Sequence, residues 1–208
     1  MLKFKTVSSL EKIFSDEDLR VSECRGCSAL QGETVSFQVA LYAEERQWIE
    51  VGLESSFEGA GVRGVEQVPC TMVSYGFDDN FLRTTPGLYP NPLMPLENRL
   101  WVVRKKQWQA LWVSVPVPAG CKPGKYDVAV KIKTVGPGGK ALDECEDLTA
   151  DFTVEVIDAA LPPQKLIRSE WFHGDCIYSF YKVGCWSEEH WGLLEKYFAN
   201  AARHGINM

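Results

Sequence analysis

The proline pair in Leu161-Pro162-Pro163-Gln164-Lys165 sets the strongest limit on how this chain folds. Proline fixes its own φ, removes a backbone donor and biases the residue before it toward extended backbone, so neither a helix nor a central strand runs through the pair. The grammar on its two sides differs. Upstream, residues 1–160 read as short strands and turns. Downstream, 166–175 reads as one strand and 187–204 as one helix. Residues 161–165 are therefore expected to be a joint between domains.

Upstream, Val35-Ser-Phe-Gln-Val-Ala-Leu-Tyr, Tyr126-Asp-Val-Ala-Val-Lys-Ile-Lys and Phe152-Thr-Val-Glu-Val-Ile alternate apolar and polar residues. That period sends one face inward and one outward. Trp48-Ile-Glu-Val-Gly-Leu, Val62-Arg-Gly-Val-Glu-Gln-Val, Cys70-Thr-Met-Val-Ser-Tyr and the apolar run Ala110-Leu-Trp-Val-Ser-Val-Pro-Val add further strand signals. Pro123-Gly124 and Gly136-Pro-Gly-Gly punctuate them as turns. The expected fold is mainly β, an antiparallel β-sandwich over residues 1–160. One stretch departs from this. Gly87-Leu-Tyr-Pro-Asn-Pro-Leu-Met-Pro-Leu holds three prolines and cannot pair as a central strand. Residues 78–99 are expected to form a long ordered loop, either functional or a plug over a sandwich edge.

Downstream, Ser187 reads as the N-cap of a helix, with Glu188 and Glu189 in the first turn where they favour the macrodipole. Trp191, Leu194 and Phe198 recur at helical spacing, and Gly205 supplies the stop. A strand followed by a helix is half of a β-α-β crossover, whose second parallel strand would begin at Ile206-Asn207-Met208. Residues 166–208 are thus expected to be the first strand-helix unit of a truncated TIM-type (β/α) barrel.

The charge balance is 22 Lys and Arg against 28 Asp and Glu, a net −6. No basic patch suits a nucleic-acid or anionic-membrane surface, and no apolar run of membrane-spanning length occurs. The seven cysteines are odd in number and irregularly spaced. With no signal-peptide pattern at the N-terminus, they read as free thiols of a cytoplasmic protein.

Few constellations suggest chemistry. Cys24-Arg-Gly-Cys27 is a lone C-x-x-C without the second pair that zinc needs, or the helix opening that redox chemistry needs. His173, His190 and His204 are too scattered for a metal site, and no metal or cofactor is expected. Asp78-Asp79 reads as an exposed turn. Glu170 and Asp175 have opposite parity on the expected strand, which is poor geometry for paired acid/base work. No phosphate loop or nucleophile elbow occurs.

Several motifs in order resemble bacterial glycoside hydrolase family 123 and its relatives, grouped as domain-of-unknown-function family 4091. They are Gly32-Glu-Thr-Val-Ser-Phe-Gln-Val, Leu88-Tyr-Pro-Asn-Pro-Leu-Met-Pro-Leu, Leu111-Trp-Val-Ser-Val-Pro-Val-Pro, Pro123-Gly-Lys-Tyr, Leu161-Pro-Pro-Gln-Lys-Leu, Glu170-Trp-Phe-His-Gly-Asp-Cys, His190-Trp and His204-Gly-Ile-Asn-Met. The resemblance implies an N-terminal β-sandwich followed by a TIM-type barrel. It also implies a retaining β-N-acetylgalactosaminidase-like activity, in which the substrate's acetamido oxygen attacks the anomeric carbon and an adjacent Asp-Glu pair assists. That pair belongs to the middle of the barrel, so no catalytic residue is carried over to this chain, which is expected to lack hydrolase activity. Its partner would be a glycan or amino-sugar glycoside in the longer protein.

Trp171, His173 and Asp175 would stand at the C-terminal end of the first barrel strand, the end that faces the active site. Alternation would put all three on one side, an indole to stack on a sugar and two groups to hydrogen-bond hydroxyls. Two other readings remain open. Trp48, Trp101, Trp108 and Trp112 suggest the surface of a non-catalytic carbohydrate-binding module, with Trp112 in a core-like run. A structural or assembly domain would instead use a sandwich edge or the C-terminal helix to form homo-oligomers.

Overall fold

The computed structural model of the protein describes residues 1–70, 85–163 and 165–206. The chain divides into two compact units, Met1–Leu161 and Pro162–Met208.

The first unit is built of strands β1 (Leu2–Ser8), β2 (Gly26–Gln31), β3 (Thr34–Ala43), β4 (Gln47–Ser55), β5 (Gly61–Cys70), β6 (Gly87–Pro95), β7 (Leu100–Val103), β8 (Trp108–Pro116), β9 (Gly124–Val135) and β10 (Asp147–Ala160). They form two five-stranded sheets, ordered β1-β3-β8-β5-β6 and β2-β10-β9-β4-β7. The first is antiparallel throughout. The second is mixed, because β2 runs parallel to β10; this corrects the wholly antiparallel expectation. Strands this far apart in sequence need no local hairpin, so their relative direction is not set by a turn. Gly26 makes the pairing close: a Cβ there would stand 2.8 Å from the Thr153 carbonyl oxygen.

The alternating residues meet between the sheets. Val35, Phe37, Val39 and Leu41 of β3 and Leu111, Val113 and Val115 of β8 share one core with Val128, Val130 and Ile132 of β9 and Phe152 and Val154 of β10. Phe37 and Phe152 stack across the layers at 4.0 Å between centroids. Each such buried side chain contributes about 1.5–3 kcal/mol of hydrophobic stabilisation before chain entropy is counted. The outer face of the first sheet is also partly covered. Ile13 packs with Val7, Ala40, Val65 and Ala110. The Gln38 amide donates to the Ser8 and Glu11 carbonyls at 3.1 and 2.8 Å, and Gln67 donates to Ile13 at 3.0 Å. The centre of β3 is therefore buried on both faces, not one.

The proline-rich stretch is a strand rather than a loop. β6 pairs with β5 from Cys70↔Gly87 to Arg63↔Pro95, with an irregularity between Val65 and Gln67. It lies at the edge of its sheet, where one row of donors is not required and proline is tolerated. The strand signal at 71–75 and the Asp78-Asp79 turn lie outside the described residues. The glycine-rich tip between β9 and β10 contains a short 3-10 turn, Pro137–Gly139.

The second unit holds α1 (Gly174–Tyr181) and α2 (Glu188–Arg203). Ser187 caps α2 as expected, its hydroxyl accepting from the His190 N–H at 3.2 Å. At the other end Gly205 takes φ +79 and its N–H reaches the Ala202 carbonyl. The expected strand over 166–175 does not form: no strand occurs among the described residues of this unit, and α1 begins at Gly174. The reason is pairing. A strand persists only within a ladder, and the described residues of this unit hold no second strand to build one. The start of a barrel is thus not formed here, and the fold is two β-sheets followed by two helices.

Candidate functional site

With the strand absent, Trp171, His173 and Asp175 no longer alternate on a sheet face. Trp171 is 94% exposed, in irregular backbone. His173 occupies the N-cap position of α1 without making a side-chain cap bond, and Asp175 lies in the first helical turn. The two approach at 3.9 Å, His173 Nδ1 to Asp175 Oδ1, with side chains 71% and 67% exposed. A polar contact that open to water adds little stability. The three groups still share five residues of chain around the start of α1. An indole face, an imidazole and a carboxylate in solvent can stack on a sugar ring and hydrogen-bond its hydroxyls. Glu170 turns instead to Arg168, at 3.0 Å.

What fixes this segment is a residue the sequence reading set aside. His190 is fully buried on α2. The Trp186 backbone N–H donates to its Nδ1 at 3.0 Å, and its Nε2 lies 3.0 Å from the Gly174 carbonyl. A carbonyl can only accept and an amide N–H can only donate, so the ring is neutral with its proton on Nε2. Tyr178 and Trp186 pack on it at 5.5 and 5.3 Å. Leu194 lies beside Gly174, its Cδ2 3.5 Å from where a Cβ would stand, an ordinary van der Waals contact. His190 thereby ties the start of α1, and the segment bearing His173 and Asp175, to α2. The only trace of this in the sequence is the position of His190 at N3 of a capped helix.

The other candidates are accounted for structurally. None of the cysteines forms a disulfide. Burial, with Cys24 and Glu33 adding to it, pushes the Cys27 thiol above its ordinary value, the reverse of what a reactive cysteine needs. Among the described residues no three His, Cys, Asp or Glu side chains are grouped to hold a metal. Adjacent Asp-Glu pairs do occur, Asp16-Glu17 and Asp143-Glu144, but on exposed loops of the sandwich. Trp48, Trp101, Trp108 and Trp112 are each half-buried, so they form no continuous exposed aromatic face.

The family model of the glycoside hydrolase 123 catalytic domain matches residues 171–208. The fold matches that of a family 123 glycoside hydrolase from Clostridium perfringens, analysed for glycolipid glycan hydrolysis, with a TM-score of 0.74 over 97% of this chain at 12% identity. Family 123 is therefore the family this chain resembles, in sequence pattern over its C-terminal residues and in fold over nearly its whole length. The chain spans 36% of the length of that structure. Other solved structures agree only loosely. The Bacillus cereus major pilin subunit BcpA covers 75% of this chain and is covered for 40% of its own, at 7% identity and a TM-score of 0.38. A PapD-like domain of human CEP192 covers 66% and is covered for 84%, at 10% identity and a TM-score of 0.34. Neither supports an argument at that level. A search of curated proteins finds no match.

Proposed function

We propose that this chain is the sandwich domain and opening catalytic segment of a retaining, substrate-assisted β-N-acetylgalactosaminidase-type glycoside hydrolase. The observation that carries this is the coincidence of the catalytic-domain match at 171–208 with the exposed Trp171 at its start. The aromatic surface of the second unit supports it: Trp171, Phe180, Trp186 and Trp191 are all exposed. Such a face on a soluble domain ordinarily contacts something, and the remaining strands and helices of a barrel are the covering this reading supplies. In that setting residues 166–173 can join a ladder and take up the first barrel strand.

In this reading Trp171 stacks on the sugar, and His173 and Asp175 bond its hydroxyls. The Asp that orients the acetamide and the Glu that serves as acid and base come from the rest of the barrel. The test uses a chain continued through a whole catalytic domain. Trp171→Ala should raise KM for 4-nitrophenyl β-N-acetylgalactosaminide about tenfold while changing kcat little, the sign of lost uniform binding. An unchanged KM would remove Trp171 from the substrate site.

A further inference from the structure

We propose that the sandwich carries a second, non-catalytic cavity for a neutral saccharide unit, at the edge where β7 meets β4, β5 and β6. It has a volume of 410 Å³ and is walled by Trp48, Glu66, Met94, Leu100, Trp101 and Arg104. That size suits a small ligand, and apolar walls with a few polar groups are the usual composition of such sites.

Three observations converge on it. The first is an orphan donor. The Trp101 indole N–H is buried and finds no acceptor among the described residues, a rare condition for a buried polar group. The ring is held where it is: a Cβ on Gly64 would stand 2.3 Å from two of its carbons. Trp101 is also one of the residues that wall the cavity. The second is the polar pair. Arg104 Nη2 lies 2.6 Å from Glu66 Oε1, and both side chains remain partly exposed. A guanidinium donates and a carboxylate accepts, so together they match neighbouring hydroxyls. Their charges cancel, and Glu97 also lines the cavity, which disfavours an anion. The third is the rim. Asn98 (φ 52) and Arg99 (φ 61) are consecutive non-glycine residues in left-handed backbone, and Arg99 is tied to Glu50 at 3.1 Å. Such strain gathers at sites that are shaped for a partner.

Trp48 sets the ligand class. It lines the cavity together with the polar pair, and the Arg46 guanidinium stands over its ring at 5.9 Å from the centroid; an aromatic ring among hydrogen-bonding groups is the combination that packs against the apolar side of a sugar. Trp48 also lines a second cavity, of 490 Å³, with Arg46, Val135 and Leu142. The proposal does not rest on the hydrolase reading, because binding here is measured without turnover.

The test is titration of the 208-residue chain with galactose, N-acetylgalactosamine, lactose and cellobiose, followed by saturation-transfer NMR. At least one saccharide should bind. Trp101→Phe, which keeps a ring but loses the N–H, should weaken binding about tenfold with an unchanged circular dichroism spectrum, and Trp48→Ala should abolish it. If Trp48→Ala does not fold, Trp101→Phe alone decides. Binding by none of the four sugars at millimolar concentration overturns the proposal. So does binding that survives both substitutions, or binding that is lost in Trp171→Ala instead.

Discussion

Gly64 and Trp101 constrain each other, because the indole occupies the space a side chain at 64 would need. Gly64→Ala should therefore push the ring off β5 and destabilise the sandwich by about 1–3 kcal/mol, the usual cost of overpacking; urea denaturation measures it. His190 is the corresponding pin of the second unit. His190→Ala strands the Trp186 N–H and the Gly174 carbonyl, at about 1–3 kcal/mol for a buried group left unsatisfied. Hydrogen exchange at Trp186 should then accelerate while β8 and β9 keep their protection. Cys27 gives a pH signature. Its thiol is raised above 9.0, chiefly by burial, so the folded state holds that proton more tightly than the unfolded chain. The stabilisation is fully present below the unfolded value and is lost as pH rises through the folded one. Near neutral pH, iodoacetamide should label the exposed Cys145, Cys176 and Cys185 before Cys27, as read by mass spectrometry of the digested protein. None of these roles could be read from spacing. Each depends on which strand or loop lies opposite, and a single chain pattern does not carry that.

At the scale of elements, α2 was legible because its signals are local: a capping serine, acidic residues in the first turn and a glycine stop. Ser187→Ala should remove about 1 kcal/mol of that helix's stability, seen as a lower melting temperature in circular dichroism at 222 nm. The long alternating strands β3, β9 and β10 were legible for a similar reason, since a period of two survives in any sheet. The misses have a common cause. β6 hid behind its prolines, which exclude a central strand but not an edge. β2 contains Gly26 and Cys27 rather than β-branched residues, and its parallel register is fixed by β10 across the sheet. β7 has only four residues, Leu100–Val103. The segment 166–173 was expected as a strand and forms none here. Strand identity is decided by ladders, and ladders are not local.

At the scale of the whole molecule, the chain is a sandwich with its own core and a C-terminal segment with exposed aromatic residues, whose sequence pattern matches the glycoside hydrolase 123 catalytic-domain model over residues 171–208. The candidate site was legible only as residue types. Trp171, His173 and Asp175 were singled out as groups of a kind suited to a sugar, and their expected arrangement followed from a strand that this structure lacks. The most direct measurement is an activity assay of the 208-residue chain with 4-nitrophenyl β-N-acetylgalactosaminide, alongside the same chain continued through a whole catalytic domain. The account predicts release of 4-nitrophenol by the longer protein and none above background by the chain itself. Turnover by the 208-residue chain that scales with enzyme concentration would contradict it.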